Sequence, residues 1–243
     1  MNIVAVIPAR YAATRFPAKL MQLLGTQPVI IHTYLNTLAT DLFTDVFVVT
    51  DSEIIFNSIT NIGGKAIMSK KEHESGTDRI SEAVAEMNVD VIINVQGDEP
   101  FVQKEPLQKL CALFTDEEVR VASLMHVISD QETINDPNCV KVVVNKKMDA
   151  MYFSRSVLPF KRDQSVHPVY YKHIGIYGYR KESLLKFTQL PVSVLEQTEK
   201  LEQLRLLENG INIRMAVTEP WGVSIDTPSD LDKANKLLKK GLK

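Results

Sequence analysis

Arg10, Arg15 and Lys19 stand close together near the start of this 243-residue chain, in the stretch IPARYAATRFPAK from Ile7 to Lys19, with no acidic residue among them. Three fixed cations in one place suit a polyphosphate, because arginine offers a planar fork for phosphate oxygens and lysine a compact point charge. Pro8 and Pro17 lack backbone N–H groups and hold the residues before them extended, which stiffens the stretch. Singly, each cation reads as solvated surface charge. The ordered combination, placed directly after the apolar run Ile3 to Ile7, argues for a phosphate-binding loop at the carboxyl end of a buried strand.

A carboxylate of complementary use follows a second apolar run, Val91 to Val95 (VIINV), which leads straight into Gln96-Gly97-Asp98. Ligand crevices of open α/β sheets lie at the carboxyl ends of the strands, so Asp98 is placed to hold a magnesium ion bound to the same phosphates. Magnesium prefers one or two carboxylates, completed by phosphate oxygens and water. Asp51 stands after a comparable strand and reads as a turn residue. From the residues alone Asp98, like any Asp after a strand, also reads as a turn or helix cap. The string Ser75-Gly76-Thr77-Asp78-Arg79 by itself reads as a helix N-cap; helix starts also bind anions, and Gly76 permits close approach of a ligand. In the second half, Arg155, His173, Glu202 and Gln203 recur at the ends of aromatic- or leucine-rich segments that are otherwise ordinary core.

Positioning these residues takes alternating strands and helices. Pro28 to Ala39 predicts a helix with Pro28 in its first turn, and Val46 to Thr50 a second strand. Ser52 predicts the cap of a helix that stops at Gly63-Gly64, and Ala66 to Met68 a third strand. Leu107, Leu110, Cys111 and Phe114 mark one face of a helix after VIINV. Farther on, strands are predicted at Val121 to Val127, Val140 to Val144, His173 to Tyr179 and Met215 to Val217. The longest helix is predicted at Leu195 to Asn209, and a final one has Thr227 as cap, Pro228 at its first position and Asp230 closing a capping box. The expected fold is α/β and doubly wound: a mostly parallel central sheet flanked by helices, as one domain over residues 1–243 with a lobe inserted at about 125–195.

A hydrophobic content of 44% in a chain of this length is enough for a full core without disulfide staples. Cys111 and Cys139 show no metal-type spacing, no basic region precedes the first apolar run, and no apolar stretch is long enough to span a bilayer. A cytoplasmic protein without membrane insertion is expected. A net charge of −2 gives no general attraction for nucleic acid, so anions must be held by local clusters. The absence of G-x-G-x-x-G after the first strand argues against a dinucleotide-dependent dehydrogenase.

The opening loop resembles the nucleotide-binding signature of sugar-activating nucleotidyltransferases, with Ala13 and Ala18 where that family's pattern has Ser and Gly. VQGDEP, HESGTDR, DPNCVKVV, YFSR, KHIGIYGYR, LEQLR and GVSIDTPSDL extend the likeness over nearly the whole chain, to the 3-deoxy-manno-octulosonate (Kdo) cytidylyltransferase family. The resemblance implies a Rossmann-like nucleotide-diphospho-sugar transferase fold. It implies transfer of CMP from CTP to Kdo for lipopolysaccharide synthesis, with Mg2+ as cofactor and a homodimer formed through the lobe; sialic acid or 8-amino-Kdo is the alternative acceptor. It assigns Pro8, Ala9, Arg10, Arg15, Lys19, Ser75, Gly76 and Arg79 to the nucleotide and Asp98 and Asp226 to the metal. Gln96, Arg155, His173, Tyr177, Glu202 and Gln203 fall to the sugar, with Arg155 on its carboxylate, and Arg10, Arg15, Lys19 and Asp98 carry catalysis.

Overall fold

The computed structural model describes residues 1–12 and 16–240. Ala13 and Arg15 lie outside them. The chain divides into two compact units, residues 1–108 with 221–243, and residues 109–220.

In the first unit the chain runs β1 (Ile3–Ala9), a short hairpin of β2 (Leu23–Leu24) and β3 (Gln27–Pro28), α1 (Val29–Ala39), β4 (Asp45–Thr50), α2 (Glu53–Thr60), β5 (Ala66–Met68), α3 (Gly76–Val84) and β6 (Val91–Asn94); α4 (Lys104–Ala112) then leads out of it. The strands lie in the order β6-β1-β4-β5, and every pairing is parallel. A strand paired on both sides and covered on both faces needs a continuous apolar run. Accordingly Ala5, Val6 and Ile7 of β1 and Val91, Ile92 and Ile93 of β6 are fully buried. The expected helix boundaries hold here: the Ser52 hydroxyl accepts from Ile55 N at the start of α2, and Gly63, at φ +77°, ends its exit turn.

The second unit continues with β7 (Val121–Ile128), α5 (Gln131–Asn135), β8 (Lys141–Val144), β9 (Ala150–Ser154), β10 (Tyr170–Arg180), α6 (Lys181–Phe187), α7 (Val194–Glu199), α8 (Leu204–Glu208) and β11 (Ile213–Val217). Here β11 pairs parallel with β7, while β7-β10, β10-β8 and β8-β9 are antiparallel. The chain then returns to the first unit, where α9 (Pro228–Lys239) has the expected capping box between Thr227 and Asp230 and ties its Asn235 Oδ1 to Gly25 N at 2.9 Å.

Two expectations are corrected. Leu195 to Asn209 is not one long helix but α7 and α8, separated at Lys200, which takes the left-handed conformation with φ 55° and caps α7 through its N–H to Glu196 O. The break is held by an ion pair that a straight helix would not allow: Arg205 Nε and Nη2 donate to Glu196 Oε2 and Oε1 at 2.7 and 2.6 Å, and the guanidinium lies 4.9 Å over the Phe187 ring. Strand β9 and helix α5 also arise from segments for which neither had been predicted.

Lys141 is wholly buried yet charged, and its ammonium donates to three main-chain carbonyls, Asp136 O at 2.9 Å, Cys139 O at 2.5 Å and Arg155 O at 2.6 Å. It thereby ties the turn before β8 to the end of β9. Replacing it by methionine leaves three inward-facing acceptors without a donor, and each buried acceptor so stranded costs about 1–3 kcal/mol. Lys141→Met should therefore lower the urea midpoint of unfolding by the equivalent of about 3 kcal/mol or more. An unchanged midpoint would show that water satisfies these carbonyls instead.

Candidate functional site

The carboxyl ends of β1 and β6 and the start of α3 enclose a cavity of about 360 Å³ in the first unit, whose walls include Pro8, Arg10, Lys19, Gly76, Asp98 and Asp226. Its floor is fixed by backbone. The carbonyl of Gly97 accepts from Thr33 Oγ1 at 2.8 Å, and a methyl group on Gly97 would come within 3.0 Å of Leu20 and 3.1 Å of the Pro8 carbonyl, so only glycine lets the β6 exit pass this close to β1. Asp98 is anchored in turn by its carbonyl, which accepts from Ile225 N at 2.9 Å. One residue later in that return segment stands Asp226.

Gly222 allows the return. It has φ +48°, and a Cβ there would lie 2.4 Å from Phe101 Cβ, so any side chain would push residues 222–226 away from Asp98. A hydrogen bond from Ser224 Oγ to the Glu99 carboxylate adds a second stitch. As a result Asp98 and Asp226, far apart in sequence, bracket one ammonium: Lys19 Nζ lies 2.5 Å from Asp98 Oδ2 and 3.0 Å from Asp226 Oδ1. Burial opposes the charge on Lys19, but the fields and hydrogen bonds of Asp98, then Asp226, prevail and raise its pKa above the ordinary lysine value. Lys19 begins a single 3-10 turn, Lys19–Met21, preceded by Ala18 at φ 50° and ψ 33°. A left-handed alanine is strained by about 1–2 kcal/mol, which accounts for the glycine usual at this place in the resembled family.

The start of α3 forms the opposite wall. Ser75 is a true N-cap, its Oγ accepting from Asp78 N at 3.1 Å, and a Cβ on Gly76 would lie 3.2 Å from the Pro8 ring, so the helix start sits against the end of β1. Arg79 is buried, donating from Nη1 to the Ala9 carbonyl and from Nη2 to Asp51, while its Nε has no partner among the described residues. Asp51 is thus more than a turn residue, because its carboxylate holds the arginine that braces the end of β1. His73, which sequence reasoning left out, lines the same cavity and is fixed by Glu82 at 2.7 Å. Burial works against the Glu82 charge, but His73 and the Lys70 N–H outweigh it and hold its carboxyl below the usual range. Its signal was the HESGTDR string itself. Gln96 also lines the cavity, with Nε2 donating to Asn94 Oδ1 at 3.0 Å, and Arg10 is exposed at the rim. Arg15 lies outside the described residues.

In the second unit the remaining candidates gather on β10 and around α8. His173 lies between the rings of Phe153, edge-on at 5.0 Å, and Tyr177 at 5.4 Å, and its Nε2 is 3.2 Å from Ser123 Oγ. Ser123 is a partner that sequence reasoning missed: its hydroxyl also reaches the carbonyls of Ile174 and Ile176, where the β7-β10 register slips. Burial drives the Tyr177 and Tyr179 phenols well above their ordinary values; Tyr179 and then the charge of Glu202 add to the effect at Tyr177, and Glu202 adds to it at Tyr179. Gln203 is buried, and its Nε2 has no partner among the described residues. Arg155 is half-buried and already donates from Nε to Glu199 O at 2.7 Å and from Nη1 to Pro137 O at 3.0 Å, leaving Nη2 with no hydrogen bond among the described residues. The structure thus groups His173 with Tyr177 and Ser123, and orients Arg155 through the carbonyls of Glu199 and Pro137.

Burial, followed by repulsion from Lys172, pushes the His173 imidazole down to about 3. It is therefore neutral in the folded protein at pH 5, whereas in the unfolded chain a histidine titrates near 6.5. The unfolded state binds the extra proton, so stability is complete above about pH 6.5 and falls as the pH drops from there toward 3. His173→Gln should flatten that part of the pH–stability curve, and the His173 ring signals of the native protein should not shift between pH 8 and 5 in an NMR titration. A midpoint near 6 would show the ring to be solvated.

The family described as Cytidylyltransferase matches residues 4–213. The chain is 54% identical over 242 residues to the 3-deoxy-manno-octulosonate cytidylyltransferase of Flavobacterium johnsoniae, covering 98% of this chain and 99% of that one. It is 52% identical to the protein of the same name from Christiangramia forsetii, covering 98% and 97%. Among solved structures it is similar to CMP:2-keto-3-deoxy-manno-octonic acid synthetase complexed with CTP, with a TM-score of 0.95, 42% identity and full coverage of both chains. With a mostly parallel sheet whose carboxyl ends hold a cationic loop and two converging carboxylates, the chain belongs to the cytidylyltransferases and, among them, to the 3-deoxy-manno-octulosonate cytidylyltransferase family.

Proposed function

We propose that this protein transfers CMP from CTP to the anomeric hydroxyl of Kdo, releasing pyrophosphate, with Mg2+ as its cofactor. The observation that carries the reading is the meeting of Lys19, Asp98 and Asp226 in one cavity beside the Arg10 loop. In the reaction the sugar hydroxyl oxygen forms a bond to the α-phosphorus and gives up its proton to solvent, the bond from that phosphorus to the bridging oxygen breaks, and pyrophosphate carries away the electron pair. No covalent intermediate with the protein is needed, so the chain's task is alignment and charge neutralisation.

Arg10 and Lys19 are the cations for the triphosphate and the departing pyrophosphate, with Arg15 assigned to the same work by its place in the loop. Pro8, Ala9, Ser75 and Gly76 shape the surface for the nucleotide, and Arg79 holds that surface in place through Ala9 and Asp51. The donor set suits a hard divalent cation: two carboxylates from separate segments already converge on one positive centre. Asp98 and Asp226 would hold Mg2+, which when bound supplies positive charge to the α-phosphate and lowers the pKa of the attacking hydroxyl. Toward the sugar, Arg155 offers Nη2 to the carboxylate, while neutral His173, Tyr177, Glu202 and the unpartnered Gln203 amide serve hydroxyls, and Gln96 lies in the nucleotide cavity.

We also infer a cytoplasmic homodimer. Two free cysteines fit a reducing compartment, and no helix among the described residues is long and apolar enough to cross a membrane. In the second unit Phe160, Val194 and Met151 are 82%, 73% and 63% exposed, apolar surface of a kind that an interface covers. Sedimentation at micromolar concentration should give twice the chain mass, and a single-chain mass would remove the dimer without touching the chemistry.

A pyrophosphate-release assay crossing the four nucleoside triphosphates with Kdo, 8-amino-Kdo and sialic acid should give turnover with CTP and Kdo, abolished by chelation. Turnover confined to another pair would overturn the assignment. Arg155→Ala should act on sugar KM by roughly ten- to a hundredfold, the value of one charge-assisted contact, with CTP binding intact. Asp226→Asn should instead collapse kcat, because it removes one of two carboxylates without disturbing the cap, which belongs to Thr227. A fully active Asp226→Asn enzyme would leave Asp98 alone as a metal ligand.

A further inference from the structure

The two carboxylates assigned to the metal are already neutralised by a group of the chain. Lys19 Nζ hydrogen-bonds to both, its side chain is 16% exposed, and Asp98 is more enclosed than Asp226, at 23% against 48%. A divalent cation and an ammonium cannot both occupy the centre between two carboxylates without strong like-charge repulsion. For the metal to take Asp98 and Asp226, Lys19 must swing away. Its backbone need not move: Met21 N bonds to Ala18 O at 2.8 Å and Lys19 N to Phe16 O at 3.1 Å, which fixes the turn, while the four-carbon stem stays free to reorient. An ammonium this enclosed leaves two carboxylates only for another anion, and a triphosphate beside the Arg10 loop is such an anion.

We propose that Lys19 is an internal counter-cation that occupies the metal position in the free protein and exchanges onto the nucleotide's phosphates when they arrive, so that metal and nucleotide each tighten the binding of the other. The proposal rests on the reading of this cavity as a nucleotide–metal site. It makes Lys19 a brake on metal binding before the nucleotide is present and a phosphate ligand afterwards, so one substitution should act with opposite sign in the two states. Coupling of this kind is reciprocal: whatever factor CTP adds to metal affinity, the metal adds to CTP affinity.

Mn2+ serves as the probe, with free ion counted by electron paramagnetic resonance, in the full-length protein with and without CTP and with no sugar present, so that nothing turns over. The wild type should bind Mn2+ weakly alone and more tightly with CTP. Lys19→Met and Lys19→Gln, each checked for an unchanged circular dichroism spectrum, should both bind Mn2+ in the absence of CTP about tenfold more tightly than the wild type, and CTP should add less than it does in the wild type. Lys19→Arg, which keeps a cation, should retain the weak binding. If the two uncharged variants bind Mn2+ without CTP no better than the wild type, while Asp98→Asn abolishes the protein-bound ion, the exchange is overturned and the metal site stands. If Asp98→Asn binds Mn2+ with CTP as the wild type does, the metal site itself is wrong and the exchange falls with it.

Discussion

A lysine ammonium held between two carboxylates is the interaction around which the first unit is built. Lys19, Asp98 and Asp226 come from the loop after β1, the end of β6 and the segment before α9, so forming the cluster closes chain segments 79 and 207 residues long. Closure on that scale is entropically unfavourable, and one partly exposed ion pair does not offset it. What makes it possible is that β1 and β6 are already adjacent and parallel within a continuous apolar layer, so Lys19 and Asp98 leave the sheet on the same edge. The third member is drawn in by backbone contact, through Ile225 N to Asp98 O and the close passage of Gly222 over Phe101. Apolar burial supplies the stability, and the charges fix what the edge is used for.

Much of this was legible in the sequence because the relevant signals are local. A buried strand that must be apolar throughout, a proline-stiffened loop that follows it and a Ser-Gly helix start each declare themselves within a few residues, and β1, β4, β5, β6 and the caps of α2, α3 and α9 fall where expected. What stayed hidden depends on partners distant in sequence. Nothing near Asp51 announces Arg79, and Lys141 looks like an ordinary strand-edge cation until three carbonyls are found around it. Nor could the Lys19 pairing be read from a loop whose own residues carry no acid.

The misread helix has the same origin. Leu201, Leu204 and Leu206 are buried, as a helical leucine pattern would require, and Lys200 has good helix propensity. The tertiary pairing of Arg205 with Glu196 overrides that preference, because two hydrogen bonds of a charged fork and contact with Phe187 outweigh the cost of one left-handed lysine. The result matters for the candidate sugar residues: Glu202 and Gln203 sit in the turn between α7 and α8, not in mid-helix, with Gln203 leading directly into α8. A turn can present two successive side chains toward one ligand, whereas successive positions on a helix diverge by about 100°.

The two units also solve opposite electrostatic problems. On the reading proposed above, the triphosphate brings charge, and the first unit meets it with Lys19, whose own charge is balanced in advance by Asp98 and Asp226. A polyhydroxylated acid brings one charge and many neutral dipoles. In the second unit the matching groups are largely uncharged: burial keeps His173 neutral and the Tyr177 phenol protonated, while Gln203 holds an amide out of water without a partner. Burying an amide without a bond costs about 1–3 kcal/mol, and a folded chain retains such a group where something else completes it. Arg155 is the exception that fits, because the carbonyls of Glu199 and Pro137 orient its guanidinium and spend part of its donor set on the chain itself, while the Glu199 carboxylate accepts from its backbone N–H. One free edge of a fixed fork suits a single carboxylate, so on the reading proposed above Arg155 is aimed before an acidic sugar arrives.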